Sequence, residues 1–316
     1  MPGSRVVALG HHQPSRVLTN TDMEGIVDTS DAWIRQRTGI VTRRIAAEDE
    51  SVTDMAAVAA GKALVASGLD PAEIGMVTVA TCSAVDRSPS IAAQVAARLG
   101  IPAPVCFDLN NACAGFCTGL ACADHAIRAG AARHALVIGA EKMSDLVDWT
   151  DRSTCILLGD GAGAAVISRT DQAGAGIGPV AWGSDPGRGD AVRLVGSWQP
   201  RFAQEGQTVF RWATTELPAL AREACDRAGI ATRDLAGVVT HQANLRIIES
   251  LARQLGLRED VVLARDVVDS GNTSSASVPL ALSKLVDRGE LPSGAPVLLF
   301  AFGGGLSWAG QVVTVP

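Results

Sequence analysis

The sequence predicts an α/β fold of two related halves, each built around one β-sheet. Apolar, β-rich runs alternate with helical segments along the chain, which indicates parallel βαβ units joined by right-handed crossovers. The 316 residues are 47% apolar, with 33 glycines and no tyrosine, so the chain can bury a large core of small aliphatic side chains. Segments of the two halves also match in order, and we place the boundary between residues 1–171 and residues 172–316.

The matches between the halves predict the elements one after another. Each half opens with a strand, passes through a glycine-containing loop into a second strand, and closes an amphipathic helix with a glycine. A central helix follows, and another apolar strand comes after it. The matched pairs are RVVALG (5–10) with GPVAWG (178–183), 68–81 with 229–241, ARLG (97–100) with RQLG (253–256), and 113–130 with 272–289.

The last of these pairs aligns without gaps and makes Cys113 and Asn272 equivalent residues, each at the start of a central helix. The helix after Cys113 carries little charge before Asp124 and consists mostly of small residues. We therefore expect it to be buried on nearly all sides, between the two sheets. The nearby GDGAG (159–163) lacks the lysine of a phosphate-binding loop, and we interpret it as a hairpin turn.

Composition and charge exclude several classes of protein. The net charge of -6 provides no general attraction for nucleic acid. Apolar runs such as 297–302 are far shorter than the roughly 20 residues that span a bilayer. The N-terminus does not resemble a secretory signal, so we expect no membrane helix and a cytoplasmic location. The seven cysteines form no C-x-x-C pair, and neither a disulfide scaffold nor a metal site is expected.

Three polar residues are candidates for chemistry. At a helix start, Cys113 should lie near unpaired N–H groups and the positive end of the helix dipole, which would lower the pKa of its thiol and favour a thiolate nucleophile. His241 follows a predicted strand, and sites assemble at the carboxyl ends of such strands. Taken singly, His241 could be a hydrogen-bonded core histidine and Asn272 a helix cap. Together the three residues predict one shared cavity.

The glycines of FGGG (302–305) follow the last strong β-run, and their N–H groups can approach a ligand oxygen closely. They suggest an oxyanion hole shared with the N–H of Cys113, and a plain tight turn is the alternative. We interpret the remaining cysteines as small buried hydrophobes: Cys82, Cys106, Cys117, Cys122, Cys155 and Cys225.

At NNACAGF, HQANLRI, GNTSSAS and FGGGLSW the sequence resembles the type III β-ketoacyl-acyl-carrier-protein synthases, and the resemblance runs from end to end. It implies a thiolase-like fold, in which two duplicated halves form a five-layered α-β-α-β-α sandwich. It also implies that Cys113, His241 and Asn272 are catalytic, that Gly304 belongs to the oxyanion site, and that Phe302 shapes the site.

The reaction implied by the resemblance has two parts. An acyl group passes from acyl-CoA to Cys113, and it is then condensed decarboxylatively with malonyl on its acyl carrier protein. Acyl-CoA is a substrate, and no cofactor is implied. A thiolase that abstracts a proton would need a second cysteine as base, and we predict none near FGGG. An acyltransferase of the same fold, which moves an acyl group without condensation, is the alternative.

The resemblance also assigns a binding role to DTSDAWIRQRTGI (28–40), which is similar to the family segment that holds coenzyme A. Trp33 would stack on adenine opposite Arg152, while Thr29 and Arg37 would contact the nucleotide end. An aromatic face and guanidinium groups suit an adenine and its phosphates. Without the resemblance, a tryptophan near two arginines is more often a helix packing on its neighbour.

Protein partners are implied in the same way. The family's contact with the acyl carrier protein would fall on Gln242, Ala243, Asn244, Leu245 and Arg246, with a merely solvated helix face as the alternative. A homodimer is implied, and GMVTVAT (75–81) is compatible with an edge strand at its interface. Ser88 stands where relatives often carry a bulky side chain that enters the partner's acyl pocket. The serine predicts a larger pocket, which leaves longer or branched starters and polyketide priming open.

Overall fold

The computed structural model describes residues 3–86, 88–172, 176–197 and 199–316. Within these ranges the strands, in chain order, are β1 (Gly3–His12), β2 (Arg16–Thr19), β3 (Thr42–Ile45), β4 (Ile74–Ala80), β5 (Val105–Leu109), β6 (His134–Lys142), β7 (Asp160–Thr170), β8 (Ala181–Ser184), β9 (Val192–Val195), β10 (Arg201–Gln204), β11 (Gly237–Thr240), β12 (Val262–Leu263), β13 (Pro296–Gly303) and β14 (Ser307–Thr314). The α-helices are α1 (Asn20–Glu24), α2 (Asp31–Thr38), α3 (Val52–Ser67), α4 (Ile91–Arg98), α5 (Gly115–Arg128), α6 (Arg152–Cys155), α7 (Gly206–Thr215), α8 (Leu217–Ala228), α9 (Leu245–Leu255), α10 (Val267–Ser270) and α11 (Ser277–Asp287).

Two five-stranded sheets repeat one topology. The first has the order β1-β7-β6-β4-β5 and the second, read from the opposite edge, β8-β14-β13-β11-β12. Each sheet has a parallel part, β6-β4-β5 or β13-β11-β12, and an antiparallel part made by its remaining two strands. The predicted α/β fold of two duplicated halves is confirmed, although the sheets are mixed rather than wholly parallel. The boundary at residues 171 and 172 falls between β7 and β8 and stays a prediction.

The central layer consists of α5 and α11, which lie between the two sheets as the small-residue pattern predicts. Phe116, Leu120 and Ile127 of α5 are almost completely buried in one hydrophobic cluster with strands of both sheets. Two glycines in the first sheet let α11 approach closely. A Cβ on Gly163 would lie 2.4 Å from the backbone N of Leu280, and one on Gly139 would lie 2.4 Å from a backbone oxygen of the turn before α11.

The close approach of α11 to the first sheet also explains why the interpretation of GDGAG as a hairpin turn is wrong. Asp160 to Gly163 form the first residues of β7, and they pair with β1 and β6. Glycines occur there because the central helix leaves no room for a side chain, rather than because the chain reverses.

The outer layers complete a five-layered sandwich. On the first sheet, α3 buries an alanine stripe that includes Ala56, Ala59 and Ala63. This helix begins at a capping box between Ser51 and Asp54 and ends at a left-handed glycine. On the second sheet, α8 and α9 pack their apolar faces against the strands. No helix in the described residues is long and apolar enough to cross a membrane.

The two central helices end in the predicted register, but they do not begin in it. The residue with a left-handed backbone before each helix is Ala112 in the first half, at φ 44°, and Ser274 in the second, at φ 49°. Cys113 follows the first of these, whereas Asn272 precedes the second by two residues. The helix α11 is also shorter, with 11 residues against 14 in α5. The predicted equivalence of Cys113 and Asn272 is therefore wrong, and Ser275 is the counterpart of Cys113.

The expectation that 75–81 forms an edge strand is also wrong. These residues make up most of β4, which is hydrogen-bonded to β6 on one side and to β5 on the other. Within the described ranges the edge strands of this sheet are β1 and β5, and the first residue of β5, Val105, is 62% exposed. The apolar pattern of β4 reflects a strand covered on both faces, since α3 lies on one side of the sheet and α5 on the other.

Candidate active site

Cys113 lies in a 3-10 turn, Ala112–Ala114, that leads directly into α5. The N–H of Ala112 donates to the side-chain oxygen of Asn110 at 3.1 Å, which holds the left-handed backbone of the turn. Gly303 at the end of β13 packs so closely that a Cβ on it would lie 2.7 Å from the Cβ of Cys113. The backbone N–H groups of Cys113 and Gly304 lie near the sulfur, where they act to lower the pKa of the thiol. Two converging backbone donors are the arrangement that an oxyanion needs.

Burial, rather than the helix dipole, dominates the acidity of the Cys113 thiol. Loss of water raises its pKa to about 12, and the negative charge of Glu141 acts in the same direction. The nearby Ser274 hydroxyl and backbone N–H groups act to lower the pKa without offsetting burial. The prediction of a lowered pKa is therefore wrong for the free protein. Because Cys113 precedes the first residue of α5 by two positions, the dipole is also less well aligned with the sulfur than the sequence suggested.

The rate of alkylation of Cys113 by iodoacetamide is expected to rise about tenfold per pH unit between about pH 7 and 9. Only the thiolate reacts, and its population keeps growing with pH as long as the pH lies below the pKa of the thiol. Peptide mass spectrometry on samples quenched at intervals gives the rate at this residue alone. A plateau in the rate below pH 9 would contradict the raised pKa.

His241 directly follows β11, as the sequence predicts. Its backbone N–H donates to the carbonyl of Phe300 at 2.8 Å, and its ring meets Phe302 edge to face with 5.3 Å between the ring centroids. The Nδ1 atom lies 2.8 Å from the hydroxyl oxygen of Ser277, and this is the one hydrogen bond of the ring among the described residues. Burial lowers the pKa of His241 to about 3, so the imidazole is neutral at ordinary pH.

Asn272 is fixed by hydrogen bonds to its backbone and to its side chain. Its N–H donates to Leu157 at 2.8 Å, and its carbonyl accepts from Gly159 at 3.0 Å, which ties it to the first half of the chain. The side-chain Oδ1 accepts from the N–H of Ser274 at 2.9 Å. Because a backbone N–H can only donate, this contact fixes the orientation of the amide, and it is the one hydrogen bond of this side chain in the part of the chain that is described.

Cys113 and Asn272 open into one cavity of about 340 Å³. His241 is not part of its wall, but Phe302, which its ring contacts, immediately precedes the glycine against Cys113. A larger and more open cavity of about 580 Å³ lies around Lys142 and Trp149, and no cysteine lines it. The residues that line the smaller cavity are Cys82, Asn110, Asn111, Ala112, Cys113, Met143, Leu158, Val192, Arg193, Leu194, Phe202, Asn272, Ser274 and Gly304.

Cys82 was expected to be an inert buried hydrophobe, and its position corrects that interpretation. It follows β4 and lines the cavity, and its sulfur donates to a carboxylate oxygen of Glu141 at 3.4 Å. Burial raises the pKa of this thiol well above its usual value, and the Glu141 charge raises it further. A second thiol therefore lies beside the nucleophile candidate, but it is a poor base. Its place two residues after the end of β4, one residue beyond the position that matches His241 after β11, was the available signal.

Glu141 is the buried centre of the polar network behind the cavity, and it was not predicted from the sequence. Its carboxylate is 0% exposed and accepts hydrogen bonds from both halves of the chain. The donors from the first half include the N–H groups of Cys82 and Ser83, each at 3.1 Å. Those from the second half are the hydroxyls of Ser274 and Ser275, each at 2.9 Å. Glu141 thereby connects the strand ends of the first sheet to the turn that follows Asn272.

The four residues predicted to contact coenzyme A lie around α2. The guanidinium carbons of Arg152 and Arg37 are 5.0 and 5.5 Å from the ring centroid of Trp33, so all three side chains are brought together. Arg152 also donates to the carbonyl of Asp28 at 2.9 Å. The hydroxyl of Thr29 is buried, and it has no hydrogen-bond partner among the residues described. Trp33 packs on the same hydrophobic cluster as Leu158 and Phe202, which line the cavity.

The predicted carrier-protein segment is only partly at the surface. Gln242 is 0% exposed, and its amide is occupied by Thr240, Ala264 and Val267, so its predicted contact with a docking protein is corrected. Asn244 caps α9, accepting from the N–H of Arg246 at 2.8 Å. Ala243 and Leu245 are half-buried beside it. The exposed Arg246 donates to two carbonyls at the end of α2, which joins this segment to the helix that carries Trp33.

Of the remaining predicted site residues, Gly304 lines the cavity and Phe302 is buried against His241. Ser88 is exposed and precedes a cis proline, and it does not line the cavity within its own chain. The predicted role of Ser88 concerns a partner subunit, so it stays a prediction. Asn111 lines the cavity and donates to the hydroxyl of Thr118 at 2.9 Å.

Comparisons with known proteins agree with this fold. The family model for 3-oxoacyl-[acyl-carrier-protein (ACP)] synthase III matches residues 107–186, and the model for the C-terminal part of that family matches residues 225–315. The chain is 62% identical over 315 residues to beta-ketoacyl-[acyl-carrier-protein] synthase III 4 of Streptomyces coelicolor, which covers 99% of both chains. It is 63% identical over 317 residues to synthase III 2 of Streptomyces avermitilis, which covers 100% of both.

Solved structures of the same kind superpose over nearly the whole chain. The priming beta-ketosynthase from the R1128 polyketide biosynthetic pathway matches with a TM-score of 0.97 and 43% identity, over 99% of this chain and 96% of that one. The 3-oxoacyl-[acyl-carrier-protein] synthase III of Aquifex aeolicus matches with a TM-score of 0.93 and 39% identity, over 99% and 100%. On its fold, its motifs and these relatives, the chain belongs to the 3-oxoacyl-[acyl-carrier-protein] synthase III family.

Proposed function

We propose that this protein transfers an acyl starter from acyl-CoA to Cys113 and condenses it decarboxylatively with malonyl on an acyl carrier protein. The product is a 3-oxoacyl-carrier protein. The observation that carries the proposal is the shared cavity of Cys113 and Asn272, in which the sulfur lies near two backbone donors and the amide N–H groups make no hydrogen bond to any described residue. A thiol nucleophile, an oxyanion site and an amide donor are the groups that this chemistry uses.

The first half of the reaction is a thioester exchange. The sulfur of Cys113 attacks the acyl carbonyl, and the N–H groups of Cys113 and Gly304 stabilise the oxyanion. The bond to the coenzyme A sulfur then breaks, and the thiol proton ends on that sulfur, so no net proton is released. The raised pKa of Cys113 keeps the free thiol protonated until substrate excludes water and deprotonation is coupled to attack.

The second half uses the amide and the imidazole. When malonyl loses carbon dioxide, the electron pair of the breaking C–C bond passes to an enolate on the thioester oxygen. His241 and Asn272 supply two neutral N–H donors for that oxygen, and neutral donors stabilise the enolate without protonating its carbon. The enolate carbon attacks the acyl group on Cys113, the C–S bond breaks, and the sulfur takes up a proton.

Release of carbon dioxide separates this proposal from an acyltransferase without condensation. The purified protein, given acyl-CoA and 14C-carboxyl-labelled malonyl-carrier protein, is expected to release labelled carbon dioxide in step with formation of 3-oxoacyl-carrier protein. Acyl transfer to the carrier without release of the label would support the acyltransferase instead. Holding the carrier concentration fixed while omitting acyl-CoA gives the background of uncoupled decarboxylation.

Coenzyme A is proposed to enter with its adenine on Trp33. Stacking between Trp33 and Arg152 requires about 7 Å, two van der Waals contacts of about 3.5 Å each, whereas the guanidinium carbon lies 5.0 Å from the ring. Arg152 must therefore swing away from the ring before adenine can bind. The hydroxyl of Thr29, which has no partner in the described structure, and the charge of Arg37 are then available to the nucleotide.

Replacing Trp33 by alanine is expected to raise KM for acyl-CoA about tenfold with little change in kcat. Loss of one stacking contact on a base costs about 1–3 kcal/mol, and this contact is made equally in the ground and transition states. Steady-state kinetics with acyl-CoA varied at saturating malonyl-carrier protein measures both constants. Trp182→Ala, on the exposed edge strand β8, is the matched control and should leave KM unchanged.

The carrier protein is proposed to dock at the exposed Arg246, beside the end of α2. Acyl carrier proteins are acidic, and a guanidinium recognises their phosphate and carboxylate groups well.

A homodimer is proposed through the free edge of β5, because an exposed edge strand with an apolar residue such as Val105 favours pairing with a second copy. A monomer in sedimentation equilibrium at micromolar concentration would contradict the dimer.

The starter is proposed to extend beyond acetyl. Ser88 is exposed in the single chain, and across the proposed dimer it would leave room at the partner's acyl pocket. The kcat/KM values for acetyl-CoA and isobutyryl-CoA measure this preference. A strong preference for acetyl would contradict the larger pocket.

A further inference from the structure

We propose that Ser277 is a positioning residue that holds His241 in a single neutral tautomer, with the ring hydrogen on Nε2. The inference rests on the proposed function, because that N–H is one of the two donors assigned to the enolate oxygen. Ser277 was not among the residues singled out from the sequence. It is the first residue of α11 and is 0% exposed.

The hydroxyl of Ser277 lies between two groups of the segment that follows β11. Its oxygen is 2.8 Å from Nδ1 of His241, and it accepts the backbone N–H of Gln242 at 3.3 Å. Both neighbours are buried, with 2% of His241 and 0% of Gln242 exposed. Water therefore does not compete for these contacts, and the three groups must satisfy one another.

The tautomer of His241 follows from counting the hydrogens and acceptors around the Ser277 hydroxyl. The Gln242 N–H uses a lone pair of the Ser277 oxygen, and the hydroxyl has one hydrogen to donate. Nδ1 of His241 is its only acceptor in the described part of the chain. If Nδ1 carried the ring hydrogen instead, the buried hydroxyl hydrogen would have no acceptor, at a cost comparable to a lost hydrogen bond. Nδ1 is therefore the acceptor, and Nε2 carries the hydrogen.

Other contacts hold the ring in this orientation. The backbone of His241 is fixed by its hydrogen bond to Phe300 at 2.8 Å, and Phe302 packs on the ring at an interplanar angle of 79°. The contact at Nδ1 is the one hydrogen bond of the ring among the described residues, which leaves the hydrogen on Nε2 for a substrate oxygen. Because Nε2 already carries a hydrogen, it cannot accept the proton of Cys113. The tautomer thus serves the condensation and contributes little to acylation.

Ser277→Ala is expected to lower the condensation rate about 10- to 100-fold, as loss of an oriented donor or of the correct histidine tautomer does elsewhere. Transfer of the acyl group from acyl-CoA to Cys113, measured by intact mass in single turnover, should change less than about threefold. Ser277→Thr keeps the hydroxyl and should restore most of the condensation. Equal losses in the two half-reactions, or full condensation activity in Ser277→Ala, would overturn the proposal.

Ser283→Ala is the matched control. Ser283 lies on the same helix, is also 0% exposed, and makes a similar contact, with its oxygen 2.9 Å from Nδ1 of His11. Removing its hydroxyl disturbs packing and a serine–histidine hydrogen bond to a similar degree, but away from the cavity. Both half-reactions should be unaffected in this variant. A drop in condensation as large as that of Ser277→Ala would assign the effect to the stability of α11 and overturn the proposal.

The tautomer of His241 can also be measured directly, without catalytic turnover. The 15N shifts of the His241 ring, assigned by their absence in His241→Gln, should indicate a protonated Nε2 and an unprotonated Nδ1 in the wild-type protein. An Nδ1–H tautomer would overturn the inference. This measurement also separates it from the proposed function, because a protein that releases no carbon dioxide from malonyl-carrier protein would refute the condensation and leave the tautomer to be decided by the spectrum.

Discussion

Cys113→Ala is expected to abolish acylation by acyl-CoA and to lower the overall condensation rate by about 10⁴-fold or more. Removing a nucleophile removes the covalent intermediate, and losses of this order or larger are typical. The sulfur lies under two backbone N–H groups, and Gly303 packs directly against it, so no other side chain can occupy the same point. The fold should tolerate the change, because an alanine fits within the space that the thiol leaves.

The assay for this variant is intact mass after incubation with acyl-CoA, followed by peptide mapping of the adduct. Cys82→Ala is the matched control, since Cys82 lines the same cavity and also has a thiol beside Glu141. The control should still accept one acyl group, on Cys113. Acyl groups retained by Cys113→Ala, or mapped to Cys82 in the wild-type protein, would show that Cys113 is not the nucleophile.

The repeated topology could be predicted because the strands and helices of each half have recognisable local sequence patterns. Apolar strands, helix-ending glycines and the spacing between them depend on neighbours a few residues apart. The starts of the central helices are different, because the backbone there is set by contacts between the halves. Ser275, for example, is fixed by the carbonyl of Ala80 at 2.8 Å and by Glu141, and neither partner is near it in sequence. A gapless alignment could not detect that α11 begins later than α5.

The residues of the site that could be predicted are those that lie in the short sequence motifs. Cys113 and Asn272 precede the two central helices and Gly304 follows β13, and such positions can be recognised locally. The acidity of Cys113 could not be predicted, since burial depends on the packing of both sheets, and it outweighs the hydrogen bonds to the sulfur. Glu141 was missed for the same reason. It lies within an apolar strand pattern, and its partners come from two segments far apart in sequence, 81–83 and 274–275.

Glu141→Ala is expected to lower the free energy of unfolding by about 4 kcal/mol. The substitution leaves the buried N–H groups of Cys82 and Ser83 without an acceptor, and each unpaired group of this kind costs about 1–3 kcal/mol. The hydroxyls of Ser274 and Ser275 lose the same partner, although they can rotate toward others. Glu141→Gln should cost less, because its oxygen can still accept the two N–H groups while its amide nitrogen donates to the hydroxyl oxygens.

Urea unfolding followed by fluorescence, at one protein concentration for every variant, measures these differences. Glu216→Ala is the control for loss of a carboxylate as such, since Glu216 forms its bidentate contact with Arg188 at 2.9 Å on the surface. Exposed pairs of that kind contribute at most about 1 kcal/mol. If Glu141→Ala lowers the free energy of unfolding no more than Glu216→Ala does, the hydrogen bonds around Glu141 do not hold the two halves together. In that case the turn after Asn272, and with it the orientation of the amide, would have to be fixed by its backbone hydrogen bonds to Leu157 and Gly159 alone.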